Sequence, residues 1–458
     1  MYKINFKQPI HVHFIGIGGI SMSGLAEILL KEGFKISGSD AKRSQLTDNL
    51  HAKGATIYIG QTASNIEERP DLIVYTAAIH ADNPEFAAAK AADIPMLTRA
   101  ELLGQIMANY KNSIAVAGTH GKTTTTSMVS QILLCAVKDP TISVGGILDS
   151  IGGNIRVGSS DVFVTEACEY TNSFLNFYPK YSIITSVEAE HLDFFKDIDD
   201  ICCSFHKFAS NTASDGSVII NGEIEHFSAI VDGLDRNIIT YGLCDTCDFY
   251  AKNITFNEKA CATYTAMHGD KELGTITLSV PGRHNVANSL ACIALCLQLG
   301  ISMEDITRGL LAFGGTHRRF EYKGTKNGVT IIDDYAHHPT EVAATLTAAQ
   351  NYPHGRIICA FQPHTYSRTK AFLDDFARVL SMADIVVLAD IYAAREKNTI
   401  GISSKDLLEK LKEKGCEAYY FPSFAEIEQF LSEKCINNDL LITMGAGDIY
   451  QVGENLLK

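Results

Sequence analysis

An α/β fold in three successive units is the class this sequence predicts, and three observations carry it. Short apolar runs alternate with helical stretches along most of the chain. Glycine-rich turns follow directly on two of those runs, at Gly16–Gly24 and Gly118–Gly121, where an open α/β sheet receives its ligands. The 458 residues, at roughly 150 per domain, suffice for three domains.

Composition narrows the class of function. With 46% hydrophobic and 20% charged residues, the chain reads as an ordinary globular protein. No apolar run reaches the ~18 residues of a membrane span, and the opening MYKINFKQPIHVHF lacks a basic-then-apolar leader pattern. A net charge of −14 weighs against a protein that coats nucleic acid. It leaves room for local phosphate pockets, because charge acts at contact distance. Cys135, Cys292, Cys296 and Cys359 stand singly in apolar runs and read as small buried hydrophobes. Cys244 and Cys247 form a CxxC without a second pair at zinc spacing. A reduced, cytoplasmic protein is the expectation.

In the first unit, strands are expected at Ile10–Ile15, Lys35–Ser39 and Leu72–Thr76, and helices at Met22–Glu32 and Asn83–Ala92. The turn Gly16-Ile17-Gly18-Gly19-Ile20-Ser21 departs from a strict dinucleotide fingerprint because Ser21 holds the third glycine position. Asp40 closes the second strand, where an acid often meets a ribose or base. A diphosphate-containing ligand that need not be NAD is one reading; a tight turn without a ligand is the other.

The second unit opens with Ser113–Met128, SIAVAGTHGKTTTTSM. A strand at Ile114–Ala117, the loop Gly118-Thr119-His120-Gly121-Lys122-Thr123-Thr124 and a helix over Thr125–Cys135 make the arrangement of a phosphate-binding loop. Lys122 would face the β/γ-phosphates, and the Thr123 hydroxyl would ligate Mg²⁺. Val116 occupies the position of the usual first glycine, so a chance Gly/Thr turn stands as the alternative. Strands Asp161–Thr165 and Tyr181–Val187 end in Glu166-Ala167-Cys168-Glu169 and Glu188-Ala189-Glu190-His191. Glu166 and His191 could complete the Mg²⁺ site; alternatively Glu166 caps a helix and His191 is a surface histidine. Residues 217–280 read as β-rich. His284 and Asn285 precede a helix at Ser289–Leu299, either to meet a base edge or as caps.

Gly314-Gly315 marks a hinge before the third unit. There, strands Val329–Ile332, Arg356–Phe361, Ile385–Ala389 and Leu440–Thr443 are expected. Polar groups close three of them: Asp333 to His338, Gln362 to Arg368, and Gly445 to Asp448.

Taken together and in order, HFIGIGGISMSGLA, AGTHGKTTTTSM, EACEY, EAEHLDFF, PGRHNVANSLA, GTHRRFE, DDYAHHPTE, FQPHTYSRT and MGAGDI resemble the Mur ligase family over essentially the whole length. Its members are ATP-dependent amide-forming enzymes of peptidoglycan precursor synthesis. The first block and the doubled His337-His338 point to the alanine-adding type. The resemblance implies a Rossmann-like N-terminal domain over 1–108, a central P-loop ATPase-like α/β domain over 109–318 and a Rossmann-like C-terminal domain over 319–458. Gly16, Gly18, Gly19 and Ser21 would lie near the diphosphate of UDP-N-acetylmuramate and Asp40 near its uridine, with Thr76-Ala77-Ala78-Ile79 lining the cleft. Gly118, Thr119, His120, Gly121, Lys122, Thr123 and Thr124 would bind ATP, and Thr123, Glu166 and His191 would surround Mg²⁺. His284 and Asn285 would approach the adenine, and Arg318 and Asp334 the nucleotide. Lys122, Arg318 and His337 would be catalytic.

The implied reaction joins the lactoyl carboxylate of UDP-N-acetylmuramate to L-alanine through an acyl phosphate, in a cytoplasmic monomer or homodimer with no nucleic-acid or membrane partner. Two positions depart from the family pattern. Cys168 stands where many members carry Asp, and Thr365 stands at an Arg position, which leaves Arg368, with His337, to bind the amino acid. Lys207 falls near the place of a carboxylated lysine in some relatives, and no such role is expected of it. The rival readings are a ligase that adds a recovered tripeptide to the same sugar nucleotide, and an ATP-hydrolysing switch. A folylpolyglutamate synthase is disfavoured by the first hundred residues, and an NAD-dependent redox enzyme by Ser21.

Overall fold

The computed structural model describes every residue except 1, 2, 77, 193 and 395. Ala77 of the expected sugar-nucleotide cleft and Asp193 of the EAEHLDFF stretch therefore lie outside the described residues. The chain divides into two compact units, one of 1–122, 136–145 and 151–240, the other of 123–135, 146–150 and 241–458.

The first unit begins with a five-stranded parallel sheet. Its spatial order is Thr56–Ile59, Lys35–Asp40, His11–Ile15, Leu72–Tyr75, Met96–Thr98. Side chains of the central strand alternate between its faces. Val12 and Phe14 join Leu25, Ile28 and Leu29 of the helix Ile20–Lys31 in one core, while Ile15 meets Ile73 and Ala89 in another. The order reverses at His11–Ile15, so the glycine turn that follows this strand sits at a topological switch point. Further along, Ser217–Asn221, Tyr181–Ile184, Asn112–Ala117 and Val162–Ala167 lie side by side and parallel.

The second unit holds an antiparallel run, Phe249–Phe256, Cys261–His268 and Lys271–Pro281, followed by the apolar helix Arg283–Gln298. Its six-stranded sheet runs Glu321–Lys326, Val329–Asp334, Leu440–Met444, Ile357–Phe361, Ile385–Leu388, Glu417–Tyr420. The first pair is antiparallel and the rest are parallel. Both faces are covered, as a parallel sheet requires. Ile332, Phe361, Leu388 and Ile442 pack with Val342, Leu346 and Phe376 on one side. Ile331, Ile358, Val387 and Leu441 pack with Ile427, Leu431 and Val452 on the other.

The α/β class is the one expected, and the boundaries correct the expectation in three places. The helix after the phosphate loop starts at Lys122, not Thr125, because packing overrides the weak helix propensity of successive threonines. The helix expected at Ser289 starts at Arg283, behind Gly282 with φ +101° as its N-cap. The strand expected over Tyr181–Val187 stops at Ile184, because Thr185 and Ser186 are engaged with the phosphate loop. All twelve cysteines are free thiols, Cys244 and Cys247 included. Among the described residues no helix is long and apolar enough to cross a membrane.

Candidate active site

The strand His11–Ile15 runs into the turn Gly16–Gly19. Gly16 has φ +87°, and a Cβ there would lie 2.8 Å from the Thr76 methyl carbon, so the turn requires glycine. The N–H groups of Gly16 and Ile17 both donate to the Ser39 carbonyl, at 2.8 and 2.9 Å. Gly18 N–H donates to Asp40 Oδ2 at 2.8 Å. Asp40 thus splints the turn, and three of the amides that a glycine loop might offer a ligand are used internally. Gly19 is the N-cap of Ile20–Lys31 and makes no side-chain cap bond. The helix's first N–H groups have no intrahelical acceptors, which leaves this end of the turn able to receive an anion. Ser21 Oγ accepts from Arg99 Nη1 at 3.2 Å, and Thr76 Oγ1 accepts from Ala78 N–H at 3.2 Å.

A buried polar chain underlies this turn. His13 Nδ1 meets Ser37 Oγ at 2.8 Å, His13 Nε2 meets Glu85 Oε1 at 2.7 Å, and Ser39 Oγ donates to Glu85 Oε2 at 2.5 Å. Neither His13 nor Glu85 has any exposed side-chain surface. Ser39 therefore links this chain through its hydroxyl and clamps the glycine turn through its carbonyl.

The phosphate loop is held from behind by the strand end that follows it in the sheet. Thr185 Oγ1 donates to the His120 carbonyl at 2.5 Å, Thr119 N–H donates to the Ser186 carbonyl at 2.9 Å, and His120 N–H donates to Ser186 Oγ at 2.9 Å. Thr119 Oγ1 accepts from Glu188 N–H at 2.9 Å. Gly118, at φ +143°, passes so close to Thr185 that a Cβ would lie 2.0 Å from Oγ1. The Lys122 ammonium is folded back onto the loop. It donates to the carbonyls of Gly118 and Thr119 and to Glu169, whose oxygens lie 2.9 and 3.2 Å away.

Glu169 is 2% exposed and also meets His191 Nε2 at 3.5 Å. Burial opposes charge on Lys122, but Glu169, with Cys168 and Glu166, outweighs it and raises the lysine pKa. Burial likewise pushes Glu169 up, yet Lys122 and the His191 contact overcome it and hold the carboxylate below its usual range. Both directions describe an ionised pair.

Glu166 lies inside the strand Val162–Ala167 and accepts from Gly145 N–H at 2.5 Å, so it does not cap a helix. His191, at φ +55°, lies against Tyr170 with ring centroids 4.6 Å apart and planes tilted by 35°. Glu166 and His191 offer a carboxylate and an imidazole, donor types that suit Mg²⁺ when water and phosphate oxygens complete the shell. Lys207 lies on the helix Ile198–Ser210 with its side chain exposed.

In the second unit, Gly282 takes the N-cap with no side-chain cap bond, so His284 and Asn285 are not caps. Asn285 Nδ2 donates to the Pro281 carbonyl at 2.7 Å, and its Oδ1 accepts from Asn288 at 3.0 Å. His284 is exposed at the helix start, with neighbouring protein still displacing part of the water around its ring. That desolvation, aided by Arg319 and opposed by Glu341, lowers its pKa to about 4 and keeps the ring neutral near pH 7.

Arg318 is anchored on two sides. Its Nε donates to Asp333 at 3.0 Å and its Nη2 to the Gly445 carbonyl at 2.7 Å, with the guanidinium 4.9 Å from the Tyr335 ring centroid and 4.6 Å from that of Tyr450. Its neighbour Arg319 has a looser hold, 3.9 Å from Glu341. Asp334 accepts from Phe320 N–H at 2.9 Å and Ala336 N–H at 2.8 Å. Burial raises its pKa to about 6, against the pull of Arg319 and those N–H groups.

His337 Nδ1 lies 2.9 Å from the Tyr335 carbonyl, which assigns the proton to Nδ1 and the basic lone pair to Nε2. The rings of His337 and His364 are 5.4 Å apart, and Arg368 Nη1 donates to His364 Nδ1 at 2.9 Å. His364 in turn stacks on Tyr392. Thr365, at φ +66°, caps the helix Tyr366–Ala371 that carries Arg368.

The structure thus gathers Lys122 with the loop residues beside Glu166 and His191, and His337 with Arg368. Sequence reasoning missed Glu169, Thr185, Ser186, Arg99, Arg319 and His364. Glu169, Arg319 and His364 lay inside motifs already singled out. The others are tied to the site by partners distant in sequence.

Three family models match the chain: "Mur ligase family, catalytic domain" over residues 11–111, "Mur ligase middle domain" over 116–296, and "Mur ligase, glutamate ligase domain" over 318–447. The chain is 69% identical to a UDP-N-acetylmuramate–L-alanine ligase of Agathobacter rectalis, with all of both chains covered. It is 52% identical to the enzyme of that name from Caldanaerobacter subterraneus, covering 100% of this chain and 99% of the relative. Among solved structures it is similar to the UDP-N-acetylmuramate-alanine ligase of Thermotoga maritima, at 31% identity and TM-score 0.79 with 98% of each chain covered. A murein peptide ligase of Psychrobacter arcticus, at 24% identity, TM-score 0.68 and 98% coverage of each chain, shares the fold.

Proposed function

The chain belongs to the Mur ligase family, and from that premise we propose that it joins UDP-N-acetylmuramate to L-alanine at the expense of ATP. The proposed domains are 1–108 for the sugar nucleotide, 109–318 for ATP and 319–458 for the amino acid. The single observation that carries the reading is the Gly118–Lys122 loop, braced by Thr185 and Ser186, with a buried carboxylate holding its lysine in place.

A carboxylate is a poor acyl donor, because oxide is not a leaving group in water. Transfer of the γ-phosphoryl group of ATP to the lactoyl carboxylate gives an acyl phosphate and ADP. The L-alanine amine then attacks the acyl carbon, and phosphate leaves. In the first transfer Lys122 would move from Glu169 onto the phosphates and offset their growing charge. Mg²⁺, held by Thr123, Glu166 and His191, would supply further charge neutralisation. Arg318, held by Asp333 and the Gly445 carbonyl, would act on the phosphoryl group, and Arg319 would add a second phosphate contact. Neutral His284, with Asn285, suits an adenine edge. Asp334 acts by fixing the loop of Phe320.

His337 Nε2 is suited to take a proton from the attacking amine, and Arg368 to bind the alanine carboxylate. Gly16, Gly18, Gly19, Ser21, Asp40 and Thr76 would bind the sugar nucleotide, Gly18 and Asp40 chiefly by shaping the turn. A cytoplasmic location matches the substrates.

The test is a coupled assay of ADP release from purified protein with ATP, Mg²⁺ and UDP-N-acetylmuramate, offered L-alanine, other amino acids or the tripeptide. Release dependent on L-alanine supports the reading. Dependence on the tripeptide alone indicates the recycling ligase, and release without any amine a hydrolytic switch.

A further inference from the structure

Arg99 lies outside every motif discussed above, yet its surroundings call for an anion. It is the first residue of the helix Arg99–Met107, whose N-cap Thr98 forms a capping box with Glu101. Glu101 Oε2 accepts from Thr98 N–H at 2.7 Å and Thr98 Oγ1 at 2.8 Å, so the acid of that first turn is spent on the cap. The Arg99 guanidinium instead reaches the start of another helix, where Nη1 donates to Ser21 Oγ at 3.2 Å. Among the described residues no carboxylate stands within ion-pairing distance of it. Of the other arginines between the glycine turn and Arg99, Arg43 is already paired with Asp48 at 2.7 Å and Arg69 donates to the Ala92 carbonyl at 3.1 Å. Burial lowers the pKa of Arg99, and the nearby Cys168 thiol is the only group pushing it up. A largely dehydrated guanidinium with one neutral partner keeps several N–H donors for an arriving group.

We propose that Arg99 binds the diphosphate of the sugar nucleotide, reaching across from its own helix to the glycine turn at Ser21. This rests on the sugar-nucleotide reading above. Gly16, Ile17 and Gly18 direct their amides into the protein, so the turn contributes shape and the helix start contributes N–H groups. Neither brings a full positive charge. Arg99 supplies it, and its planar fork matches two phosphate oxygens.

The experiment is calorimetric titration of the full-length protein and its Arg99→Met and Arg99→Lys variants with UDP-N-acetylmuramate, UDP, uridine and a non-hydrolysable ATP analogue. Arg99→Met should weaken UDP and UDP-N-acetylmuramate by roughly tenfold to a hundredfold. Uridine and the ATP analogue should bind as before, and Arg99→Lys should recover part of the loss. Unchanged UDP affinity in Arg99→Met overturns the proposal. So does a loss confined to UDP-N-acetylmuramate, which would put the guanidinium on the sugar or its carboxylate, or an equal loss for uridine, which would mean a collapsed pocket. Failure of the unmodified protein to bind UDP-N-acetylmuramate or UDP would instead refute the sugar-nucleotide reading itself.

Discussion

Replacing Glu169 by Gln isolates the interaction on which the phosphate loop's resting geometry depends. The change keeps the side chain's shape but removes the charge facing Lys122 at 2.9 Å. Side-chain exposures of 17% for Lys122 and 3% for Glu169 place the pair in a setting where water screens little. Breaking a buried pair from one side costs about 3–5 kcal/mol. Lys122 keeps the carbonyls of Gly118 and Thr119 as acceptors, so the lower end, about 3 kcal/mol, is expected here. For a unit of this size that amounts to a fall of roughly 6–12 °C in the first thermal transition of the nucleotide-free protein. In the proposed mechanism the phosphates of ATP replace Glu169 as the lysine's partner. A saturating ATP analogue should therefore raise the transition more in Glu169→Gln than in the unmodified protein. Differential scanning calorimetry with and without the analogue measures both. A variant that melts within about 1 °C of the parent, or gains no more from the analogue, would refute the idea that Glu169 holds the lysine in waiting.

Other consequences are open to measurement. Glu166→Gln should raise the Mg²⁺ concentration needed for half-maximal activity; an unchanged metal titration would remove Glu166 from the metal site. Arg368→Ala should raise KM for L-alanine by more than tenfold, of order the loss of a charged hydrogen bond, with KM for ATP little changed; equal effects on both would exclude it from the amino-acid pocket. The pKa of Asp334 is raised to about 6 from an ordinary 3.8. Its contribution to stability is thus full below the ordinary value, falls as pH rises through about 6 and then levels off, a swing of order 3 kcal/mol. Asp334→Asn should flatten the slope of unfolding free energy between pH 4 and 6 by about one proton; the same slope in both proteins would contradict the assignment.

Much of the site could be read from residues adjacent in the chain. The phosphate loop was legible because a buried strand, a glycine-rich turn and a lysine follow one another, and the glycine turn after Ile15 because it breaks an apolar run in the same way. What escaped was decided by the sheet. Glu169 was visible in EACEY, but only the fold brings it to Lys122, 47 positions away. Thr185 and Ser186 read as a continued apolar strand because nothing local signals that their hydroxyls are needed by His120. Arg318 could be read in GTHRRFE, but its anchors Asp333, Gly445 and two tyrosines come from elsewhere in the chain and only the fold brings them to it. The pairing of His13 with Glu85 was equally silent, since each alone reads as an unremarkable polar residue in an apolar stretch.

The central claim is that the muramic acid carboxylate is made reactive by taking a phosphoryl group from ATP. Supplying UDP-N-acetylmuramate with both lactoyl carboxylate oxygens labelled as oxygen-18, together with ATP and L-alanine, tests it through the mass of the phosphate released. One labelled oxygen in each phosphate, with the other retained in the new amide, is the predicted result. Phosphate without label, formed at the same rate as the amide, would contradict it.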